Sequence, residues 1–208
     1  MKAKFGSILM FLGTALIFGA LALFLYNQQQ SDTAGEAARE LMPQLIQQIQ
    51  EEAAQLPAPG STEPTIDLPE IYLDESDFVM TEVEIDGRMY IGYLSIPELE
   101  LELPVLSEWS YPSLQIAPCR YYGTVKGGDL VLMAHNYDKH FGRISKLSEG
   151  DSVLFVDMDG QATAYEVIAR DVLDPNAVEE MTAGLYDLTL FTCTYGGEKR
   201  VTVYCDMA

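Results

Sequence analysis

Residues 5–26, FGSILMFLGTALIFGALALFLY, carry no charge. The interior of a bilayer has no water to satisfy backbone groups, so a run of this kind that enters one must be helical. Twenty-two residues are enough for a helix to cross the hydrocarbon core. Lys2 and Lys4 precede the run with no acid beside them, which predicts a cytoplasmic N-terminus and an extracellular remainder. A cleaved signal peptide is the alternative. Ala20-Leu21-Ala22 has the small-x-small pattern of a cleavage site, but it lies inside an apolar run longer than a typical signal core. The expectation is an uncleaved single-pass anchor, with residues 1–30 as cytoplasmic stub and membrane segment.

Residues 31–70 read as a helical and Pro-rich stalk. Asp32 or Thr33 can cap a helix over 32–56, and Leu41, Leu45, Ile46, Ile49 and Ala53 form a stripe at helical spacing. Pro43 is expected to kink this helix or restart it. PAPGSTEPTIDLPE, residues 57–70, holds four prolines and little to bury, so it reads as a stiff extended spacer.

From Ile71 onward the pattern changes. Phe78–Ile85 and Met89–Leu94 are β-prone and flank Asp86-Gly87, a strong hairpin signal. Further strands are expected at 101–106, 130–134, 152–156, 164–170, 188–192 and 201–204, with one short helix over 177–181. About eight short strands with few helical stretches predict a mainly β domain over 71–208, a closed or nearly closed barrel. The net charge of −20, from 32 acidic and 12 basic residues, argues against nucleic acid as a partner. Cys119, Cys193 and Cys205 make neither a disulfide framework nor a zinc signature, although Cys119 and Cys205 can be imagined as a pair. No acidic cluster stands out, so no metal and no cofactor is expected.

The chemistry concentrates in Thr189-Leu190-Phe191-Thr192-Cys193 and the seven residues after it. A β-prone run ends on a thiol, Gly196-Gly197 marks a turn, and Arg200 opens a second β-prone run, Val201–Tyr204. A thiol can attack a carbonyl while a fixed guanidinium stabilises the oxyanion. The missing proton carrier must come from two histidines, His135 and His140. His135 follows the apolar run Leu130–Ala134 directly and can project from a strand end into a cleft. His140 is expected to be an exposed loop residue. Trp109 and Tyr111 are expected in the core or at the rim of a groove.

These segments, in order, resemble the sortases, membrane-anchored cysteine transpeptidases of Gram-positive bacteria. Gly92-Tyr93-Leu94-Ser95-Ile96-Pro97 with Leu103-Pro104-Val105 resembles the family's opening strands. Gly123-Thr124 and Gly127-Gly128-Asp129 precede the histidine strand. Ala134-His135-Asn136 stands where the family usually has Gly-His-Asn. Phe141, Leu147, Gly150-Asp151 and Val153 resemble the segment after the histidine. Thr189–Cys193 fits the Thr-Leu-x-Thr-Cys signature, and Arg200 falls on the family's arginine. The chain departs from the family at Ala134 and in the short loop of six residues between Cys193 and Arg200. The 17-residue connection Asp171–Asp187 is too short for the long helix of class B enzymes. The spacer shows no aspartate-proline-aromatic lid motif, and the expectation is a member without the C-terminal membrane segment found in many pilin-polymerising members. A housekeeping-like or class D/E-like anchoring enzyme is the expectation.

The resemblance implies an eight-stranded sortase-like barrel with short helices. It implies cleavage of a Leu-Pro-x-Thr-Gly-like signal between Thr and Gly through a Cys193 thioacyl intermediate. Arg200 would hold the oxyanion and His135 would carry the proton, with Thr192 and Asn136 as substrate-binding candidates. The implied partners are secreted proteins with a C-terminal sorting signal and an amine acceptor from a cell-wall precursor or a pilin. A hydrolytic cysteine protease and a non-catalytic peptide-binding barrel are the rivals. Papain-like enzymes place cysteine before histidine, the reverse of the order here, and the caspase Gln-Ala-Cys-x-Gly signature is absent.

Overall fold

The computed structural model describes residues 2–55 and 79–208. The Pro-rich spacer and the expected domain start at Ile71 lie outside the described residues. Helix α1 runs unbroken over Lys2–Gln55. The expected break between anchor and stalk is absent, and Pro43 sits inside the helix. Gln28, Gln29 and Gln30 are good helix formers, so the polar stretch after the apolar run continues the helix rather than capping a new one. The most apolar 18-residue window of α1 has a mean hydropathy of 2.6 and none of it is buried, which fits membrane anchoring.

The second half of α1 packs on a barrel. Its buried positions are Ser31, Ala34, Ala38, Met42, Leu45 and Ile49, every third or fourth residue. The expected stripe is thus right at Leu45 and Ile49, but Ile46 is exposed and the contact extends towards the membrane through small residues.

The strands are β1 (Val83–Ile85), β2 (Arg88–Ile96), β3 (Leu101–Leu106), β4 (Cys119–Tyr122), β5 (Leu130–Met133), β6 (Ser152–Asp157), β7 (Ala162–Leu173), β8 (Leu188–Cys193) and β9 (Arg200–Met207). Their order is β1-β2-β3-β4-β5-β8-β9-β7-β6, and β6 pairs again with β2. Strands β2 to β9 therefore close an eight-stranded barrel, with β1 added to β2 as a hairpin. The hairpin turn puts both Asp86 and Gly87 at positive φ, as a two-residue loop between twisted strands requires. Closure brings backbones together at Gly92, where a Cβ would lie 2.0 Å from the Val156 carbonyl oxygen. Only glycine permits that approach.

Two short helices, α2 (Tyr111–Leu114) and α3 (Val178–Met181), lie in connections. Strand β4 has no counterpart among the strands expected from the sequence. Its register with β3 is a single parallel pair, Leu106↔Cys119, and Arg120 interrupts the apolar pattern. Arg120 holds the strand in place by donating from Nε to the Ser107 carbonyl at 3.0 Å and from Nη2 to Glu82 at 2.9 Å.

Inside the barrel Leu94, Ile96, Leu130, Leu132, Leu188, Leu190, Val203 and Cys205 share one core. At about 1.5–3 kcal/mol for each large side chain fully buried, this interior dominates the favourable side of folding. Cys119 belongs to a separate apolar cluster with Met42 and Leu45, and both it and Cys205 are free, so the imagined pair does not form.

Candidate active site

Side chains alternate along β8. Leu188 and Leu190 point into the barrel, whereas Phe191 packs outward with Val131, Leu173 and Met181. Cys193 is in phase with Phe191 and so stands on the outward side at the strand's end. Across the ladder its partner on β9 is Arg200. On the other side, β5 runs parallel to β8 with Met133 opposite Phe191. Two residues further on, the same register brings His135 level with Cys193. The ladder does continue past β5, because the Ala134 amide donates to the Phe191 carbonyl at 3.3 Å. Three adjacent strand ends thus place His135, Cys193 and Arg200 in one row.

Cys193 is half-buried, while Cys119 and Cys205 are fully buried. Burial pushes the thiols of Cys119 and Cys205 up to about 12, which leaves them inert. The thiol that solvent can reach is the one in the row. It borders a cavity of about 280 Å³ whose lining includes Asn136, Phe141, Thr192 and Tyr195. Neither His135 nor Arg200 lines that cavity; they flank it along the ladder. A larger groove of about 1620 Å³ runs along the seam where α1 packs on the barrel. Asn136, Asp138 and Tyr195 border both spaces, so the Cys193 cavity adjoins the groove.

Burial lowers the pKa of His135 below the ordinary histidine value, so the ring is neutral at neutral pH. Arg200 turns back onto its own loop. Its Nη1 donates to the carbonyls of Gly197 at 3.0 Å and Lys199 at 3.2 Å. The loop itself is tight, with the Thr194 amide donating to the Lys199 carbonyl at 2.9 Å and the Gly197 amide to the Thr194 carbonyl at 2.8 Å. An ion pair between Lys199 and Asp174 ties it to the connection between β7 and β8.

The two other candidates differ. Thr192 is buried, and its hydroxyl donates to the Ala134 carbonyl at 2.8 Å, clamping β8 to the residue before His135. Asn136 borders both cavity and groove.

His140 overturns its expectation. It is fully buried, not exposed, and neither ring nitrogen has a hydrogen-bond partner among the described residues. The loop after His135 folds back on itself, since the His140 and Gly142 amides both donate to the Tyr137 carbonyl at 2.9 Å. This drives the ring under α1. The backbones of Ala34 and Ile116 lie near enough to act weakly on its charge, but outside hydrogen-bonding geometry. Burial, and secondarily the neighbouring His135, pushes its pKa down to about 4.

Trp109 and Tyr111 are both exposed, so neither is a core residue. Trp109 begins an aromatic line through Tyr121, at 6.1 Å between ring centres, to Phe191 at 5.2 Å. That line meets the outward face of β8 at Phe191, and neither Trp109 nor Tyr111 lines the cavity or the groove. Tyr137 and Tyr195 are not among the residues singled out from the sequence, although an aromatic directly after His135-Asn136 was the available signal.

Known proteins resemble this arrangement. The family model described as Sortase domain matches residues 94–208. Sortase A of Bacillus anthracis is 28% identical over 128 residues, covering 58% of this chain and 60% of that protein. The chain therefore spans about three fifths of the length of that relative. The crystal structure of sortase C1 from Streptococcus suis is 30% identical with a TM-score of 0.51, covering 57% of this chain and 73% of its own. Sortase C from Clostridium perfringens is 26% identical with a TM-score of 0.52, covering 81% and 90%. The family match takes in more than half of the chain and holds all of His135, Asn136, Thr192, Cys193 and Arg200, and on that ground the chain belongs to the sortase family.

Proposed function

We propose that this chain is a membrane-anchored cysteine transpeptidase that cleaves a Leu-Pro-x-Thr-Gly-like sorting signal between Thr and Gly. The observation that carries this reading is the row of His135, Cys193 and Arg200 across the ends of β5, β8 and β9. Cys193 Sγ would attack the threonine carbonyl carbon, giving up its proton to His135. Arg200 would swing from the Gly197 and Lys199 carbonyls to donate to the oxyanion. As the C–N bond breaks, His135 would return the proton to the departing glycine amine. An incoming amine would then attack the thioester and lose a proton to His135, and as the C–S bond breaks His135 would return that proton to Cys193, which leaves as the thiol. The thioester keeps the acyl group activated until that amine arrives, which favours transfer over hydrolysis.

Thr192, with its hydroxyl engaged by Ala134, fits a positioning role better than substrate contact. Asn136, at the junction of cavity and groove, fits substrate contact. The sorting-signal protein and a cell-wall or pilin amine are the proposed partners. Residues 1–30 would anchor the chain with the N-terminus cytoplasmic, 31–70 would form the stalk, and 71–208 would be the catalytic domain outside the cell.

Trapping the acyl-enzyme tests this reading. The full chain in detergent is mixed with a Leu-Pro-x-Thr-Gly peptide, quenched in acid and weighed intact. A mass gain equal to the peptide up to threonine, absent in Cys193→Ala, supports the thioacyl step. Peptide cleavage that persists in Cys193→Ala overturns it.

A further inference from the structure

His135 lies beyond the last hydrogen-bonded residue of β5, and no side chain among the described residues hydrogen-bonds its ring. Packing alone must aim it. The ring that packs on it is Tyr137, with centroids 4.9 Å apart and planes inclined at 36°. Tyr137 in turn packs on His140, at 5.6 Å and 45°. His140 is the fully buried imidazole with no partner on either nitrogen among the described residues. An unpartnered polar ring in a core has left water without gaining a hydrogen bond, and asks for a reason.

The reason lies in the helix that covers it. Ala34 and Ala38 of α1 are buried over this loop, and the Lys139 amide donates to Ser31 Oγ at 3.4 Å. Gly35 has no side chain where a Cβ would come within 2.8 Å of Lys139 Cγ. Glycine inside a helix is less favourable than alanine, so this position exchanges helix propensity for close approach. Ser31, Ala34, Gly35 and Ala38 thus bring α1 down onto the 137–140 loop.

We infer that Tyr137 is a positioning residue for His135, and that His140 and α1 hold it there, so that the membrane-proximal helix is part of the working active site. The inference rests on the reading of His135 as the proton carrier. The stack has a second consequence. Buried beneath α1, His140 stays neutral and puts no second positive charge beside His135 when that ring takes a proton. Charged groups face the stack from every side: Asp32 and Arg39 of α1, Glu100 and Glu102 before and on β3, and Asp138, Lys139 and Arg143 around the loop, with Cys193 across the ladder and Tyr26 of α1 acting on Tyr137.

The test reads His135 itself. The chain has two histidines, so the full protein in nanodiscs gives two imidazole Cε1–Hε1 resonances, assigned with His140→Phe. Tyr137→Leu is expected to move the His135 titration upward towards the ordinary value of about 6.5 as the ring gains solvent. It should also lower kcat by about 10–100-fold while leaving KM near wild type, the pattern of a misaimed proton carrier. Tyr137→Phe, which keeps the ring, should restore both. Gly35→Leu, which wedges α1 off the loop without touching Tyr137, should reproduce the upward titration shift. A His135 titration that is the same in wild type, Tyr137→Leu and Gly35→Leu would overturn the inference. Failure of the underlying reading looks different: transfer activity would survive in His135→Gln, whatever the resonances do.

Discussion

Cys193 and Arg200 are partners on one rung of the β8–β9 ladder, joined by a six-residue loop. A ladder pair fixes the distance between two backbones far more firmly than a loop can. The thiol and the guanidinium are therefore presented by strand ends, and in the proposed reaction only the guanidinium would have to change its hydrogen bonds to meet an oxyanion. Arg200→Ala is expected to lower kcat/KM by about 10²–10³-fold, the usual cost of an oxyanion donor. Steady-state transfer rates decide it, and a loss of less than about tenfold would remove Arg200 from that role.

Thiol reactivity should follow burial. Cys119 and Cys205 are held protonated in the core, while Cys193 is half-buried at a cavity. Treatment of the folded protein with iodoacetamide should add one carbamidomethyl group, mapped to Cys193 by peptide mass spectrometry. Labelling of Cys119 or Cys205 at a similar rate would contradict the packing described.

The pH dependence of kcat/KM should have an acidic limb below the ordinary histidine value. Burial lowers the His135 pKa, so its neutral, proton-accepting form persists to lower pH than a free imidazole allows. Activity is then retained as pH falls through about 6.5 and lost only below it. A limb above that value would place another group in control.

His140 makes a separate prediction about stability. Its pKa is about 4 in the fold and about 6.5 in the unfolded chain, so the unfolded state binds more protons between those values. Stability is full above the unfolded value and declines as pH falls from about 6.5 towards 4, by roughly 3 kcal/mol over the whole window. Thermal unfolding at several pH values should show this slope in wild type and a shallower one in His140→Phe. Equal slopes would mean that His140 is solvated.

The Thr192 hydroxyl donates to the carbonyl just before His135. Thr192→Val keeps the shape and leaves that buried carbonyl short of one donor, a loss of about 1–3 kcal/mol. Denaturant unfolding reads the stability change. If Thr192 acted mainly by touching substrate, KM would rise and stability would not move.

The chemistry of the row was legible because each member sits at the edge of a β-prone run. Leu188–Phe191 leads into Cys193, Arg200 opens Val201–Tyr204, and Leu130–Ala134 leads into His135. Local pattern sufficed there, since strand periodicity sets which way each side chain points. It failed where distant segments decide. The burial of His140 depends on a helix more than 100 residues earlier in the chain, through contacts such as Lys139 with Ser31. Strand β4 exists because Arg120 finds Ser107 and Glu82, which no local apolar pattern announces. The continuity of α1 through Pro43 reflects Met42 and Leu45 buried against the barrel, where packing outweighs the proline's local penalty.

The central claim is acyl transfer to an amine, and product analysis tests it most directly. The full chain in detergent is incubated with a panel of Leu-Pro-x-Thr-Gly peptides and candidate amines, and products are identified by mass spectrometry beside Cys193→Ala. The expected product is an amide linking the threonine carbonyl to one of the amines, formed only when Cys193 is present. Failure of every peptide to react, together with a Cys193 that resists alkylation in the folded protein, would contradict acyl transfer by this chain.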